Sequence, residues 1–163
     1  MKLRLDLIAL SLVAGVALAV AAPVWQAKDG VIFAPDKAQA LLHQCSRNTP
    51  KDVKGFWLPQ LAQIAELEQR LPALLEAKLA AERHPSIANY KRQYAGVTVA
   101  NRSIIYVNGF ASFPESHPDR RLRETEDWKT APRIVCDGGN GFFGVEYDPR
   151  TKTFEGLAFN GVA

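Results

Sequence analysis

The sequence predicts an α+β fold in which N-terminal helices pack on one face of a four- or five-stranded antiparallel meander sheet. Leucines recur at helical spacing in the first half of the chain. After residue 86, β-branched and aromatic residues dominate, and turn residues separate them into short runs. Because the helical and strand patterns are segregated along the chain, they favour α+β over a parallel α/β sheet.

The N-terminus predicts a secretory signal peptide over residues 1–21. A short cationic head precedes an uncharged apolar run, 7–22, and the small residues Ala19 and Ala21 occupy positions −3 and −1 of the expected cleavage site. An uncleaved membrane anchor is the alternative, but a spanning helix needs about 17–25 apolar residues. The run is short for that role, so cleavage is the favoured interpretation.

The remaining residues, 22–163, are predicted to form a single mature domain. Removing Lys2, Arg4 and Asp6 leaves 18 of 20 basic and 16 of 17 acidic residues, so the mature net charge is +2. No basic run is interleaved with aromatic residues, which argues against nucleic acid as a partner. We therefore predict a periplasmic or secreted protein with no stable membrane span after cleavage.

Cys45 and Cys136 are the only cysteines in the chain and predict a disulfide bond. In the chain-entropy model, a bond closing so long a loop contributes about 4–5 kcal/mol to stability. A reactive or redox cysteine is the alternative. The chain has no C-x-x-C pair, and His43 lies two residues from Cys45, a spacing at which helical side chains point apart.

A first helix is predicted to begin at Pro35, with Asp36 in its first turn. Its apolar residues fall at i, i+3, i+4 and i+7 on one face: Ala38, Leu41, Leu42 and Cys45. This spacing predicts that Cys45 faces the core. The polar segment 46–55 is interpreted as a loop.

The second helix is the clearest element, from Pro59 to about residue 82. Its apolar stripe consists of Leu61, Ile64, Leu67, Leu71, Leu74, Leu75 and Leu79. Pro72 removes a backbone hydrogen bond and clashes with the preceding turn, so we expect a kink or two abutting helices. The stripe indicates a helix packed across the sheet.

Strand formers follow in two runs between residues 90 and 110, joined by a hairpin turn at 100–102. Further strands are predicted at 133–136, 142–147 and 153–159, with a turn at 148–152 between the last two. The alternation around Phe143, Val145 and Tyr147 predicts a half-covered sheet. The disulfide would then tie the first helix to the third strand.

A long polar loop is predicted at 112–129, and it carries the densest charge of the chain. Arg120, Arg121 and Arg123 are followed by acidic residues. Arginine is suited to binding carboxylates, so these three residues are the predicted partner contact. A simply solvated charged loop is the alternative.

The sequence carries no pattern that predicts a metal, a cofactor or a catalytic residue. The three histidines, His43, His84 and His117, are widely separated. The glycine-rich segment 137–141 lacks a phosphate-loop pattern and is interpreted as a tight connection between strands. Four carboxylates could still pair as acid and base, namely Glu115, Asp137, Glu146 and Asp148.

The C-terminal segments 135–139 and 142–148, with 44–47 upstream, carry a resemblance to a family. They resemble small uncharacterised secreted proteins of bacteria with paired cysteines, across about half of the mature chain. The resemblance implies export and the paired cysteines, and it implies no activity.

Taken together, these features predict an exported small binding protein that acts on a macromolecular partner in the cell envelope, such as an inhibitor or immunity factor. Its partner would be an envelope or extracellular protein. A small carboxylate-dependent hydrolase and a structural envelope component are the alternatives. An enzyme is therefore possible, but the sequence favours a protein that is not one.

Overall fold

The computed structural model of the protein describes residues 26–79, 90–112 and 126–162. Its strands are β1 (Gln26–Ala27), β2 (Gly30–Ile32), β3 (Val53–Trp57), β4 (Tyr90–Val99), β5 (Arg102–Ala111), β6 (Phe142–Asp148) and β7 (Thr153–Phe159). Its α-helices are α1 (Pro35–Leu41) and α2 (Leu61–Leu79), with 3-10 turns at Glu126–Lys129 and Gly139–Gly141. The predicted signal peptide, 1–21, lies outside the described residues.

The strands form one seven-stranded mixed sheet, which confirms the α+β class. Strands β4 to β7 are the predicted antiparallel meander. The second edge of β4 is shared, because β2 pairs with it in parallel and β3 pairs with it antiparallel. The expected four or five strands were therefore too few. β1 and β2 are too short to show the two-residue alternation of a strand, and β3 contains lysine and glycine, which are uncommon in strands. These three strands are therefore recognisable from their pairing in the sheet and not from their sequence.

The leucine stripe of α2 covers one face of the sheet, as predicted. Its most buried members are Ile64, Leu67, Leu71 and Leu75. They pack against a layer of strand side chains that includes Tyr90, Tyr94, Ile105, Val107, Phe143, Val145 and Tyr147. Pro72 lies inside a single continuous helix, so the expectation of two abutting helices was wrong.

The opposite face is also covered, which corrects the predictions that both helices share one face and that the sheet is half-covered. Ala38 and Leu41 of α1 pack there, together with Trp128. Trp128 is only 2% exposed although it lies in the segment expected to be a polar loop. Its indole meets the Phe110 ring edge-on, with the centroids 5.9 Å apart. Two apolar layers thus enclose the sheet.

The first helix ends at Leu41, earlier than predicted. The side-chain amide of Gln44 donates a 2.9 Å hydrogen bond to the Leu41 carbonyl, the group that a further helical turn would use. Cys45 therefore lies beyond the helix and is exposed, not turned into the core. Within the described ranges, no helix is both long and apolar enough to cross a membrane.

Candidate functional site

The predicted disulfide between Cys45 and Cys136 is confirmed, with an S–S distance of 2.06 Å. Both cysteines are exposed. The bond joins the loop after α1 to an irregular segment over 131–138. That segment contains no strand, so the predicted strand at 133–136 was wrong.

Two buried amide side chains hold this irregular segment in place of strand pairing. Asn108 donates 2.9 Å hydrogen bonds from Nδ2 to Gln93 Oε1 and to the Arg133 carbonyl. Gln93 donates from Nε2 to the carbonyls of Trp128, at 2.5 Å, and Ala131, at 2.8 Å. The Arg133 N–H donates to Gln93 Oε1 at 2.8 Å. The N–H and carbonyl of Arg133, which a strand would pair, are therefore already satisfied.

Arg47 extends the same network and is a structural residue. Its guanidinium donates hydrogen bonds to the side-chain oxygens of Asn108 and Asn160. Asn160 donates from Nδ2 to the carbonyls of Val135, at 2.7 Å, and Asp137, at 2.9 Å. Since buried polar groups need such partners, this network fixes the segment beneath the disulfide rather than offering groups to a ligand.

The glycine-rich segment leads from the irregular segment into β6, so the predicted connection between two strands was wrong on its first side. The Gly139 N–H donates to the Gly161 carbonyl at 3.0 Å, and the Gly141 N–H donates to the Gly138 carbonyl at 3.1 Å. Gly138 has a φ of 93°, a conformation that favours glycine. These amides are engaged within the protein and do not form an anion cradle.

Two of the carboxylates considered for acid–base chemistry, Asp148 and Glu146, have different surroundings. Asp148 is buried and accepts the N–H groups of Arg150, at 2.8 Å, and Thr151, at 3.2 Å, which shapes the β6–β7 turn. Burial raises the pKa of Glu146, and its cross-strand neighbour Glu155 raises that pKa further while Arg102 lowers it. Within the described part of the chain, no group of three or more His, Cys, Asp or Glu residues could hold a metal ion. Glu115 lies outside that part.

A groove of about 490 Å³ lies between α1 and β3 on the face opposite α2. It is lined by Gln39, Leu42, His43, Thr49, Pro50, Val53, Lys54, Gly55 and Phe56, a set that we call the α1–β3 groove. Two lining residues, His43 and Lys54, are exposed; Lys54 carries a positive charge, and none of the nine lining residues is acidic. The volume is in the range of ligand-binding clefts.

One edge of β3 borders this groove without a partner strand. Gly55, Phe56 and Trp57 pair with β4 on one side, and no other strand of the described residues pairs with β3. Gly55 pairs with Thr98 of β4, so a side chain built there would stand on the α2 face, where no atom lies within 4 Å of its Cβ. The groove therefore combines a mostly polar lining, including Lys54, with the edge of β3 that no strand of the described residues pairs.

The residues predicted to contact a partner, Arg120, Arg121 and Arg123, lie outside the described residues, as do His84 and His117. His43, one of the three separated histidines, is exposed and lines the groove. Sequence reasoning missed the groove because it depends on β3, which was interpreted as the end of a loop. Lys54 and Phe56 flanking Gly55 were the available signal.

Comparison of the chain with family models, with curated proteins and with solved structures found no match. The resemblance to small secreted bacterial proteins thus stays a prediction. The functional interpretation depends on the geometry of the α1–β3 groove.

Proposed function

We propose that the protein is an exported binding protein that holds a segment of another protein in the α1–β3 groove. The observation that carries this proposal is a groove lined by Lys54 and His43, with no carboxylate among its lining residues, beside an edge of β3 that no strand of the described residues pairs. Peptide recognition by folded domains commonly uses such grooves and strand edges. An inhibitor or immunity factor in the envelope would act through binding of this kind.

Export is part of the proposal and has two supports. The N-terminal residues have the charge and length pattern of a cleaved signal. The Cys45–Cys136 bond is of the kind that persists in oxidising compartments such as the bacterial periplasm. The mass spectrum of the exported protein should then begin at Ala22, and a retained Met1 would contradict cleavage.

The hydrolase alternative has less support. Asp148 is occupied by two backbone N–H groups of the β6–β7 turn. Glu146 stands next to Glu155, but neither lines the α1–β3 groove. Acid–base catalysis on a glycosidic bond needs two carboxylates that face one substrate site.

The test is a pull-down from the native host with the tagged protein. Wild type should recover one specific envelope protein, and Lys54→Glu should lose it because the charge of an exposed lining residue is reversed. Arg121→Ala and Arg123→Ala test the charged loop in the same experiment. Loss of the partner with these arginine variants, but not with Lys54→Glu, would contradict the groove as the site.

A further inference from the structure

We propose that the Cys45–Cys136 disulfide is an exchange site, which a thiol of another molecule opens while the protein stays folded. This activity goes beyond binding in the α1–β3 groove and does not depend on it. Three observations carry it. Both cysteines are exposed, the chain is anchored on each side of the bond, and Arg47 places a cation without a carboxylate partner among the described residues in the network beneath it.

Both ends of the disulfide are accessible from solvent. A thiolate must reach one of the two sulfur atoms to exchange with a disulfide. Cys45 and Cys136 are both exposed, and both lie in irregular segments outside the helices and strands. Exposed disulfides are more readily opened than buried structural ones. The surroundings of the bond therefore allow the attack that exchange requires.

Cys136 is held in place by hydrogen bonds that are independent of the disulfide. The buried Asn160 donates from Nδ2 to the carbonyls of Val135, at 2.7 Å, and Asp137, at 2.9 Å. These two residues lie on either side of Cys136 in the chain. Opening the disulfide leaves both hydrogen bonds intact, so we expect Cys136 to keep its position in the reduced protein.

Cys45 is anchored in the same way by its two neighbours. Gln44 donates from Nε2 to the Leu41 carbonyl at 2.9 Å, and Ser46 Oγ accepts the Gly161 N–H at 2.7 Å. The Cα atoms of the two cysteines lie 5.0 Å apart. Because these contacts keep the two thiols close together, their effective concentration is high and the bond can form again without refolding.

Arg47, two residues after Cys45, supplies a positive charge beneath the disulfide. Among the described residues its guanidinium binds only neutral groups, which are the Tyr106 hydroxyl and the side-chain oxygens of Asn108 and Asn160. No described carboxylate forms an ion pair with it. A nearby cation lowers the pKa of a cysteine thiol, and a thiol of lower pKa leaves faster in exchange. Arg47 therefore favours opening of the bond by stabilising the departing thiolate.

The exchange proceeds in two steps with a dithiol as the reductant. A thiolate of the reductant attacks one sulfur, the S–S bond breaks, and its electron pair leaves on the other cysteine as a thiolate. The second thiol of the reductant then attacks the mixed disulfide and releases the first cysteine. The reductant is oxidised to a disulfide, and the protein, after taking up two electrons and two protons, becomes a dithiol. With a small thiol, a second molecule of the reductant performs the second step.

The test measures reduction of the disulfide-bonded protein by reduced glutathione and by the dithiol protein thioredoxin, in urea concentrations below the unfolding transition. Iodoacetamide labels each freed cysteine, and the intact mass counts the labels. We expect two labels, a reduction rate that does not change with urea, and a far-UV circular dichroism spectrum that stays native. The faster reagent at equal thiol concentration identifies the co-reactant as a small thiol or as a protein dithiol.

A pH profile tests the role of Arg47. In the reduced protein, alkylation of the more reactive cysteine should have its midpoint below the ordinary thiol pKa of about 8.5. Arg47→Gln should raise that midpoint, and Arg47→Lys should keep it low because the charge is retained. Arg150→Gln, at the exposed β6–β7 turn, is the charge control and should match wild type.

Two results would overturn the inference. One is a reduction rate that rises steeply with urea, which would show that the bond opens only when the protein unfolds. The other is a wild-type alkylation midpoint at or above about 8.5, which would show that Arg47 does not stabilise a thiolate. If neither Arg47 variant folds, the wild-type midpoint decides. Neither result bears on partner binding in the α1–β3 groove, so the proposed function is tested separately.

Discussion

The guanidinium of Arg47 lies directly against Gly144, where a Cβ would stand 2.7 Å from Arg47 Nε. The same Cβ would lie 2.6 Å from the Tyr106 hydroxyl oxygen, the atom to which Arg47 Nε donates at 3.3 Å. Because Gly144 has no side chain, the Arg47 guanidinium can reach its hydrogen-bond partners in the buried network. The network couples the disulfide-bearing loop to the middle of the sheet.

Gly144→Ala should destabilise the protein, because the methyl group displaces Arg47 from its hydrogen-bond partners. We expect a loss of about 1–3 kcal/mol in the free energy of unfolding, measured by urea denaturation. Gly55→Ala is the matched control in the same sheet and should be neutral or slightly stabilising, since nothing lies within 4 Å of the new methyl. Equal losses in the two variants would contradict the packing described for Arg47.

Removing the disulfide with Cys45→Ala and Cys136→Ala should weaken the protein without unfolding it. The expected loss is about 4–5 kcal/mol in the chain-entropy model. The fold should persist because Gln93 and Asn108 still bind the backbone of the 131–138 segment. Denaturation under identical conditions gives the loss, and far-UV circular dichroism reports the fold. An unfolded spectrum at room temperature would show that the amide network cannot hold the segment alone.

Glu68→Gln should destabilise the packing of α2 on the sheet. Glu68 accepts hydrogen bonds from Arg92 NH2 at 2.7 Å and from the Tyr94 hydroxyl at 2.5 Å. Burial raises the pKa of Tyr94 well above its usual range, so the hydroxyl stays a donor. Loss of the carboxylate leaves the mostly buried Arg92 without its counter-charge and should cost about 2–3 kcal/mol of unfolding free energy.

The control for that variant is Glu155→Gln, which breaks an exposed pair with Arg102. Exposed pairs contribute little, so its loss should stay under about 1 kcal/mol. Chemical denaturation of both variants side by side makes the comparison. A loss for Glu68→Gln no larger than that of the control would remove the structural role given to this carboxylate.

Glu146→Gln should stabilise the protein at neutral pH. Burial raises the folded-state pKa of Glu146 above its ordinary value of 4.5. Between the ordinary pKa and the raised one, the folded state binds more protons than the unfolded state, so the free energy of unfolding falls as pH rises through this range. The glutamine variant has no carboxyl group at this position and avoids this loss. Thermal melts should show a higher midpoint for Glu146→Gln at neutral pH and no difference below the ordinary pKa. Glu76→Gln, exposed on α2, is the control for removing one negative charge. A higher midpoint of Glu146→Gln only at low pH would contradict the prediction.

The elements with strong local patterns were predictable from the sequence. The leucine stripe of α2, both hairpins of the β4–β7 meander and the cysteine pair each follow from spacing or residue type. Three strands were not predictable, since β1 and β2 are too short for a pattern and β3 contains Lys54 and Gly55. β2 and β3 form because β4 provides an edge for them, and β1 pairs with β2; both are tertiary effects.

Two predictions near the disulfide were wrong, the end of the first helix and the strand at 133–136, because side chains bind the backbone groups that those elements would use. Gln44 takes the carbonyl that would extend α1, and Gln93 and Asn108 take the backbone groups that would pair a strand at 133–136. Periodicity does not reveal these contacts, because those of Gln93 and Asn108 join residues distant in sequence and that of Gln44 is a local side-chain bond to the backbone. The candidate site was missed for a related reason, since the α1–β3 groove exists only once β3 is placed.

The most direct test of partner binding in the groove is photo-crosslinking in the native host. A photoreactive amino acid at Lys54 reports from the groove, and one at Arg150 reports from the exposed β6–β7 turn. The account predicts a covalent adduct with one partner protein from position 54 and none from position 150. An adduct from position 150 together with none from position 54 would contradict it.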